Sequence, residues 1–363
     1  MITMTSIFNA YASEYIERYP NLPPSHLKTI RAICACRTGA YGYSLYTCPS
    51  CGQPHRIDHA CGNRHCPQCQ HHPTQLWLQH QLDKQVPGPH FLITFTIPEP
   101  LRAFCRSHPR LAYQSLFQAS SEALKKLARD ERFIGTDLPG FTGVLHTWGR
   151  QLQYHPHIHY LVPGGGLSKP RDQWRPSNPQ FYVPVRALSP IYRALFKAQI
   201  TQAGYLDHIE PQVWKTPWNV HSQATPGATT SLKYLAPYVF KVAISNRRLV
   251  SLKNRIVTFT FRKPGSNRLR STRLEVIEFI RRFLQHVLPT GFVKVRHFGF
   301  MNPNCTVTIT TIRGLIAQQN ATPAKPPQAT TEPVAQWPCP HCGAPLQVVM
   351  RVWHERPAVL DTG

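Results

Sequence analysis

The segment Tyr154-His-Pro-His-Ile-His-Tyr160 carries a histidine at every second position. In an extended chain, side chains alternate between faces, so His155, His157 and His159 share one face while Ile158 and Tyr160 point to the other. Two imidazoles fixed side by side on a strand form half of a metal site. A third ligand has two candidates: His155 itself, and His146, which alternates with Val144 and Trp148 on the neighbouring segment. Further along, Tyr234-Leu-Ala-Pro-Tyr238 spaces two phenols at i, i+4, on one helix face with Cβ atoms about 5–6 Å apart. Pro237 would kink such a helix. A tyrosine, with an ordinary pKa near ~10, can attack a phosphodiester and keep its bond energy in a covalent phosphotyrosine. A magnesium or manganese ion at the phosphate oxygens would offset the charge that builds during the attack. Taken alone, each motif also reads as structure: a core strand with satisfied histidines, and an aromatic stripe.

A second chemistry is written in cysteine. Seven of the eleven cysteines fall between Cys34 and Cys69, a density that suits zinc ligands better than a disulfide framework. Cys48-Pro-Ser-Cys51 and Cys66-Pro-Gln-Cys69 are two C-x-x-C knuckles, and together they supply the four thiolates of a closed tetrahedral zinc site. Cys36, Cys61 and His65, with His55 or His59 nearby, are candidates for a second zinc site or competitors for the first. Cys339-Pro-His-Cys342 stands alone near the end of the chain, as half a site or two free thiols.

The partner is implied by charge. Against 17 Asp and Glu stand 41 Lys and Arg, a formal +24, and the stretch from Lys241 to Phe300 holds fourteen of those cations with only two acids. Such an excess is the footprint of a nucleic-acid binder. No apolar run approaches the ~20 residues that span a bilayer. The N-terminus has no basic-then-apolar signal pattern. The expected place is the cytoplasm, where the nucleic acid lies.

The elements that must position these residues alternate. Phe91–Ile97 reads as a buried strand, and Leu101–Arg129 as a helical region broken near Pro109. Thr142–Trp148 and Gln153–Val162 read as a hairpin about Gly149-Arg150. Helices are expected at Ile7–Tyr19, Thr74–Gln85, Ile191–Ala203, Thr230–Val242 and Arg273–Val287. Strands are expected at Trp214–Ser222 and Val257–Arg262. The tight link between adjacent strands favours an α+β fold with an antiparallel sheet. Three regions follow: a zinc-binding domain at 1–75, a catalytic domain at 76–315, and a Pro/Ala-rich linker with a short C-x-x-C tail at 316–363.

Taken in order, several segments resemble one family. They are Asn63-Arg-His-Cys-Pro-Gln-Cys-Gln70, Phe91-Leu-Ile-Thr-Phe-Thr-Ile-Pro98, Leu145-His-Thr-Trp-Gly149, His155-Pro-His-Ile-His159 and the Tyr234–Tyr238 pair. Ala243-Ile-Ser-Asn-Arg-Arg248, Arg281-Arg-Phe-Leu-Gln-His286 and Arg296-His-Phe-Gly299 complete the set. The chain thus resembles the two-tyrosine rolling-circle transposases of the insertion sequence 91 family, of the His-hydrophobe-His nuclease class. The resemblance implies a ferredoxin-like nuclease core with helices on one face of the sheet, and a zinc-ribbon-like N-terminal domain. It also implies cutting and transfer of single-stranded DNA at the element's ends. His157 and His159 become metal ligands, and Tyr234 and Tyr238 nucleophiles. Pro237 stands where some members carry Arg. Arg247, Arg248, Lys253, Arg255, Arg262, Lys263, Arg268–Arg273 and Arg296 are the expected phosphate contacts, and Trp148, Trp174, Trp214 and Trp218 the candidates for stacking on bases. The rival functions are a relaxase or replication initiator, which lacks support from any G-x-x-x-x-G-K-[ST] loop, and a zinc-dependent DNA-binding regulator without nuclease activity.

Overall fold

A computed structural model describes residues 2–69, 71–225, 227, 229–230, 232, 243–263, 266, 268–320 and 337–354. The described helices are α1 Met4–Arg18, α2 Pro24–Cys34, α3 His71–Leu82, α4 Leu101–Ser107, α5 Pro109–Ala128, α6 Val185–Gln202, α7 Val276–Leu284 and α8 Ile309–Asn320. The strands are β1 Tyr43–Thr47, β2 Pro54–Asp58, β3 His90–Thr96, β4 Leu138–Pro139, β5 Phe141–Trp148, β6 Tyr154–Pro163, β7 Gly165–Leu167, β8 Trp174–Pro176, β9 Val220–Thr225, β10 Leu249–Lys253, β11 Ile256–Arg262, β12 Leu269–Glu275, β13 Val295–Phe298 and β14 Gln347–Val352.

The chain divides into two units, and the boundaries are not those drawn at 75 and 315. One unit joins residues 1–72, 241–287 and 328–363; the other joins 73–240 and 288–327. The basic segment and the tail therefore go with the N-terminal module.

In the second unit the order β3, α4–α5, β5, β6, α6, β9 folds into an antiparallel sheet with β5-β6-β3-β9 side by side, and β13 adds beside β5. This is the ferredoxin-like split βαβ arrangement. Phe91, Ile93 and Phe95 of β3 and Ile158 and Tyr160 of β6 are fully buried on one face. There they pack with α5 and α6 in the main core, and Phe95 meets Tyr192 edge-on at 5.1 Å. Small residues on α5 (Ala112, Ala119, Ala123) let the helix lie close to the sheet. Gly143 is needed for the same packing: a Cβ there would come within 2.5 Å of the Tyr160 ring.

The other face is divided. At one end Leu161 and Leu92 pack with Trp77, Leu78 and Leu82 of α3 and with Leu232. At the other end lie the histidines of β5 and β6.

His90, at the start of β3, is buried in this core. Its Nδ1–H donates to the Gly88 carbonyl at 3.0 Å, and its Nε2 is buried without a hydrogen-bond partner among the described residues. Burial lowers its pKa from 6.5 to about 4. The folded state thus binds fewer protons than the unfolded chain. His90's contribution is complete above pH 6.5 and is lost as the pH falls towards 4. A shift of this size is worth ~3 kcal/mol. Urea unfolding should show stability falling between pH 7 and pH 5, with a smaller fall in His90→Gln; equal falls in both proteins would remove His90 from the account.

The first unit pairs α1 with α2, and Phe8 of α1 meets Phe283 of α7 edge-on at 5.6 Å. β10, β11 and β12 form an antiparallel meander, and the Glu275 side chain caps α7 by accepting from the N–H groups of Ile277 and Glu278. The helix expected over Arg273–Val287 therefore starts later, because residues to Glu275 pair as a strand. A second sheet, β14-β1-β2, joins the tail to the cysteine-rich module. The linker expected from 316 begins later, since α8 runs to Asn320.

Candidate metal centre and cysteine clusters

Strand register builds the histidine site. His146 of β5 sits directly opposite His157 of β6, while His159 faces Val144 on one side and Thr94 of β3 on the other. Opposite residues of an antiparallel pair share a face, so three imidazoles converge. Their ring centroids are 5.2 Å (His146–His157), 4.5 Å (His146–His159) and 4.8 Å (His157–His159) apart. One ligand nitrogen from each lies within 4.8 Å of the others. Pro156 is tolerated because β6 has already left β3 there, and its register with β5 is irregular between His146 and Trp148.

The protein fixes these rings through their other nitrogens. His157 Nδ1–H donates to the His155 carbonyl at 2.6 Å, and His159 Nδ1 is 2.8 Å from Thr94 Oγ1. With Nδ1 so engaged, Nε2 is the nitrogen that can face a cation, an arrangement common to metal-ligating histidines. Trp148 stacks on His146 at 5.1 Å with its plane 16° away. Burial holds His157 well below 6.5 and His159 down to about 4, so both rings are neutral at pH 7 and have a lone pair to give.

His155 is on the same face but is drawn elsewhere. Arg102 of α4 donates to its Nδ1 at 2.9 Å, and the ring stands outside the cluster of three. Of the two candidates for third place, the structure brings His146 to the pair. No carboxylate joins the cluster among the described residues. Three imidazole ligands suit manganese and its first-row neighbours better than magnesium.

Tyr234 and Tyr238 lie outside the described residues. The chain is described as far as Leu232, which is buried against Leu161, two residues beyond His159 on the same face of β6.

The cysteines group differently from their spacing. Cys36, Cys61, Cys66 and Cys69 form one cluster, and Cys48, Cys51, Cys339 and Cys342 another. The knuckles at 48–51 and 66–69 do not share a site, and His65 joins neither cluster. The reason is the fold of the loop: His59 accepts from the Arg37 N–H at 3.3 Å, which returns Cys61 to Cys36 at the end of α2. The Cys36–Cys69 and Cys61–Cys69 sulfurs are 3.5 and 3.4 Å apart. That is close to the ~3.8 Å edge of a tetrahedron with 2.3 Å zinc–sulfur bonds. Hydrogen bonds from Cys36, Cys61 and Cys66 pull the Cys69 thiol far down.

The expected phosphate contacts separate into two groups. Arg255 is held by Glu14 at 3.0 Å and Glu275 at 3.1 Å. Arg248 donates to the Thr260 carbonyl at 2.7 Å, and Arg296 lies 4.3 Å over the Phe117 ring. These three have protein duties. Arg247, Lys253, Arg262, Lys263, Arg268, Arg270 and Arg273 are exposed. Among the tryptophans, Trp174 and Trp218 are buried in cores, and Trp214 stacks on Trp218 at 5.9 Å. No helix among the described residues is long and apolar enough to cross a membrane.

Family comparisons cover both the cysteine-rich module and the histidine strands. Residues 7–97 match the family described as "Transposase zinc-binding domain", and residues 140–307, which include the three histidines, match the one described as "Putative transposase". The chain is 34% identical over 319 residues, 82% of its length and 80% of the relative's, to "Putative transposase y4qJ" of Sinorhizobium fredii. This chain belongs to the insertion sequence 91 family of transposases. It is also 27% identical, over 88% of its length and 82% of the relative's, to the "Transposase for insertion sequence element IS801" of Pseudomonas savastanoi pv. phaseolicola. No solved structure matches it. This transposase is a DNA-processing enzyme with DNA as its partner, and its cysteine-rich module is a zinc-binding domain.

Proposed function

We propose that this transposase cuts and rejoins single-stranded DNA at the ends of its own element, in a rolling-circle mode, through covalent phosphotyrosine at Tyr234 and Tyr238. His146, His157 and His159 hold a divalent cation beside the phosphate. The observation that carries this reading is the convergence of three imidazoles, two of them with Nδ1 already engaged by the protein.

When bound, the cation would draw off charge that accumulates on the phosphate oxygens and fix the phosphate's orientation. The remaining work falls to the chain. The phenol gives up its proton and its oxygen bonds to phosphorus, while the bond from phosphorus to a sugar oxygen breaks. One phosphoester is made for each one lost, so the link can be passed to a second strand without an external energy source. Two phenols allow one to hold a cut end while the other attacks. The exposed cations of the β10–β12 meander would track the backbone.

A labelled single strand carrying the element's end, incubated with the full chain and manganese, tests this. The expected product is a protein–DNA adduct that survives denaturant. The double variant Tyr234→Phe/Tyr238→Phe should form none, and a duplex should yield little. An adduct undiminished in the double variant would overturn the tyrosine assignment, and no adduct with any divalent metal would favour a DNA-binding regulator.

A further inference from the structure

We propose that Cys48, Cys51, Cys339 and Cys342 form a second zinc site, completed only when the end of the chain docks on the N-terminal module. The family's zinc-binding match ends at residue 97 and holds only half of this ligand set.

The two knuckles are the same structure twice. Cys48-Pro-Ser-Cys-Gly52 and Cys339-Pro-His-Cys-Gly343 share one pentapeptide pattern, whereas Cys66-Pro-Gln-Cys69 is followed by Gln70. In each, the glycine N–H donates to the first cysteine's carbonyl at 2.8 Å. The first cysteine's N–H in turn donates to the residue after the glycine, Gln53 at 3.1 Å and Ala344 at 2.7 Å. The glycines have φ of +73° and +77°, a conformation that disfavours other residues. Such a turn aims two thiols at one point.

The knuckles face each other. Cys48 and Cys342 sulfurs are 3.4 Å apart, and Cys51 and Cys339 sulfurs 3.7 Å, distances that fit a shared ion and not a disulfide. His55 Nε2 lies 3.4 Å from Cys339 Sγ, placed to hydrogen-bond a thiolate. Strand pairing gives the docking independently of the sulfurs. β14, which follows the tail knuckle, pairs antiparallel with β1, which leads into the first. Four thiolates are a donor set that selects zinc over magnesium or manganese. A chain that lacks its C-terminal residues would keep the Cys36 cluster but lose this one.

The inference does not rest on the nuclease reading, and its test reads metal and thiols. In the 363-residue chain, Cys51 and Cys342 are exposed residues. They should nevertheless resist iodoacetamide until a zinc chelator is added, with Cys339 and Cys342 becoming alkylated together with Cys48 and Cys51. In Cys339→Ser/Cys342→Ser, elemental analysis should find one zinc fewer per chain, and the thiolate-to-metal absorption of the cobalt-substituted protein should fall by half. Alkylation of Cys342 at the same rate with and without chelator would overturn the proposal. So would unchanged zinc content in the double variant.

Discussion

His157→Ala is expected to lower strand cutting by at least about 10²–10³-fold, the loss typical when a group that stabilises transition-state charge is removed. His157 is oriented by the His155 carbonyl and has His146 directly across the sheet. Two imidazoles would remain, too few to hold a manganese ion against water. The fold should survive, because Ile158 and Tyr160, which carry the core packing, point to the opposite face. DNA affinity should hardly change, since the exposed cations are untouched. Thr94→Val is the milder companion. It removes only the hydrogen bond to His159, a loss that costs about 10–100-fold in metal affinity at comparable sites. Single-turnover cutting measured against manganese concentration separates the two: Thr94→Val should recover at high metal and His157→Ala should not. Near-normal cutting by His157→Ala would mean that the cluster is structural.

Cys66→Ser is expected to be the most damaging single change to stability. Cys66 is fully buried between Cys36, Cys61 and Cys69. Structural zinc contributes about 10–16 kcal/mol in zinc-finger peptides, comparable to the roughly 5–15 kcal/mol by which a whole domain is stable. Losing one thiolate should therefore unfold the N-terminal unit, not loosen it. The second unit has its own core and should still melt cooperatively. Calorimetry should show one transition abolished and one retained, with at least one zinc per chain lost. Both transitions retained would show that this cluster is not a folding site.

The sequence made the histidine strand legible because period-2 alternation puts His157 and His159 on one face whatever the tertiary context. It left His155 and His146 open because the choice depends on Arg102, which reaches His155 from a helix that alternation on the strand cannot place. The two long helices on one face followed from the pattern at Leu101–Arg129 and Ile191–Ala203. The helix at Thr74–Gln85 was legible too and is α3, but its place on the opposite face was not, because its packing on Leu92 and Leu161 is long-range. For the cysteines, pairing the nearest knuckles failed since ligand sharing was set by strand pairing between segments almost the full chain apart. The repeated Cys-Pro-x-Cys-Gly pattern was the signal for it. The basic segment read as a DNA track, and three of its cations proved to be holding the protein together. Glu14, on α1, gave the sequence no sign that Arg255 was its partner.

Anomalous diffraction from crystals of the full chain grown with manganese and a single strand from the element's end tests the central claim most directly. The account predicts a manganese peak within about 2.0–2.3 Å of one nitrogen each from His146, His157 and His159, with a DNA phosphate oxygen completing the coordination. A peak bound elsewhere, with the three imidazoles hydrogen-bonded only to protein or water, would contradict it.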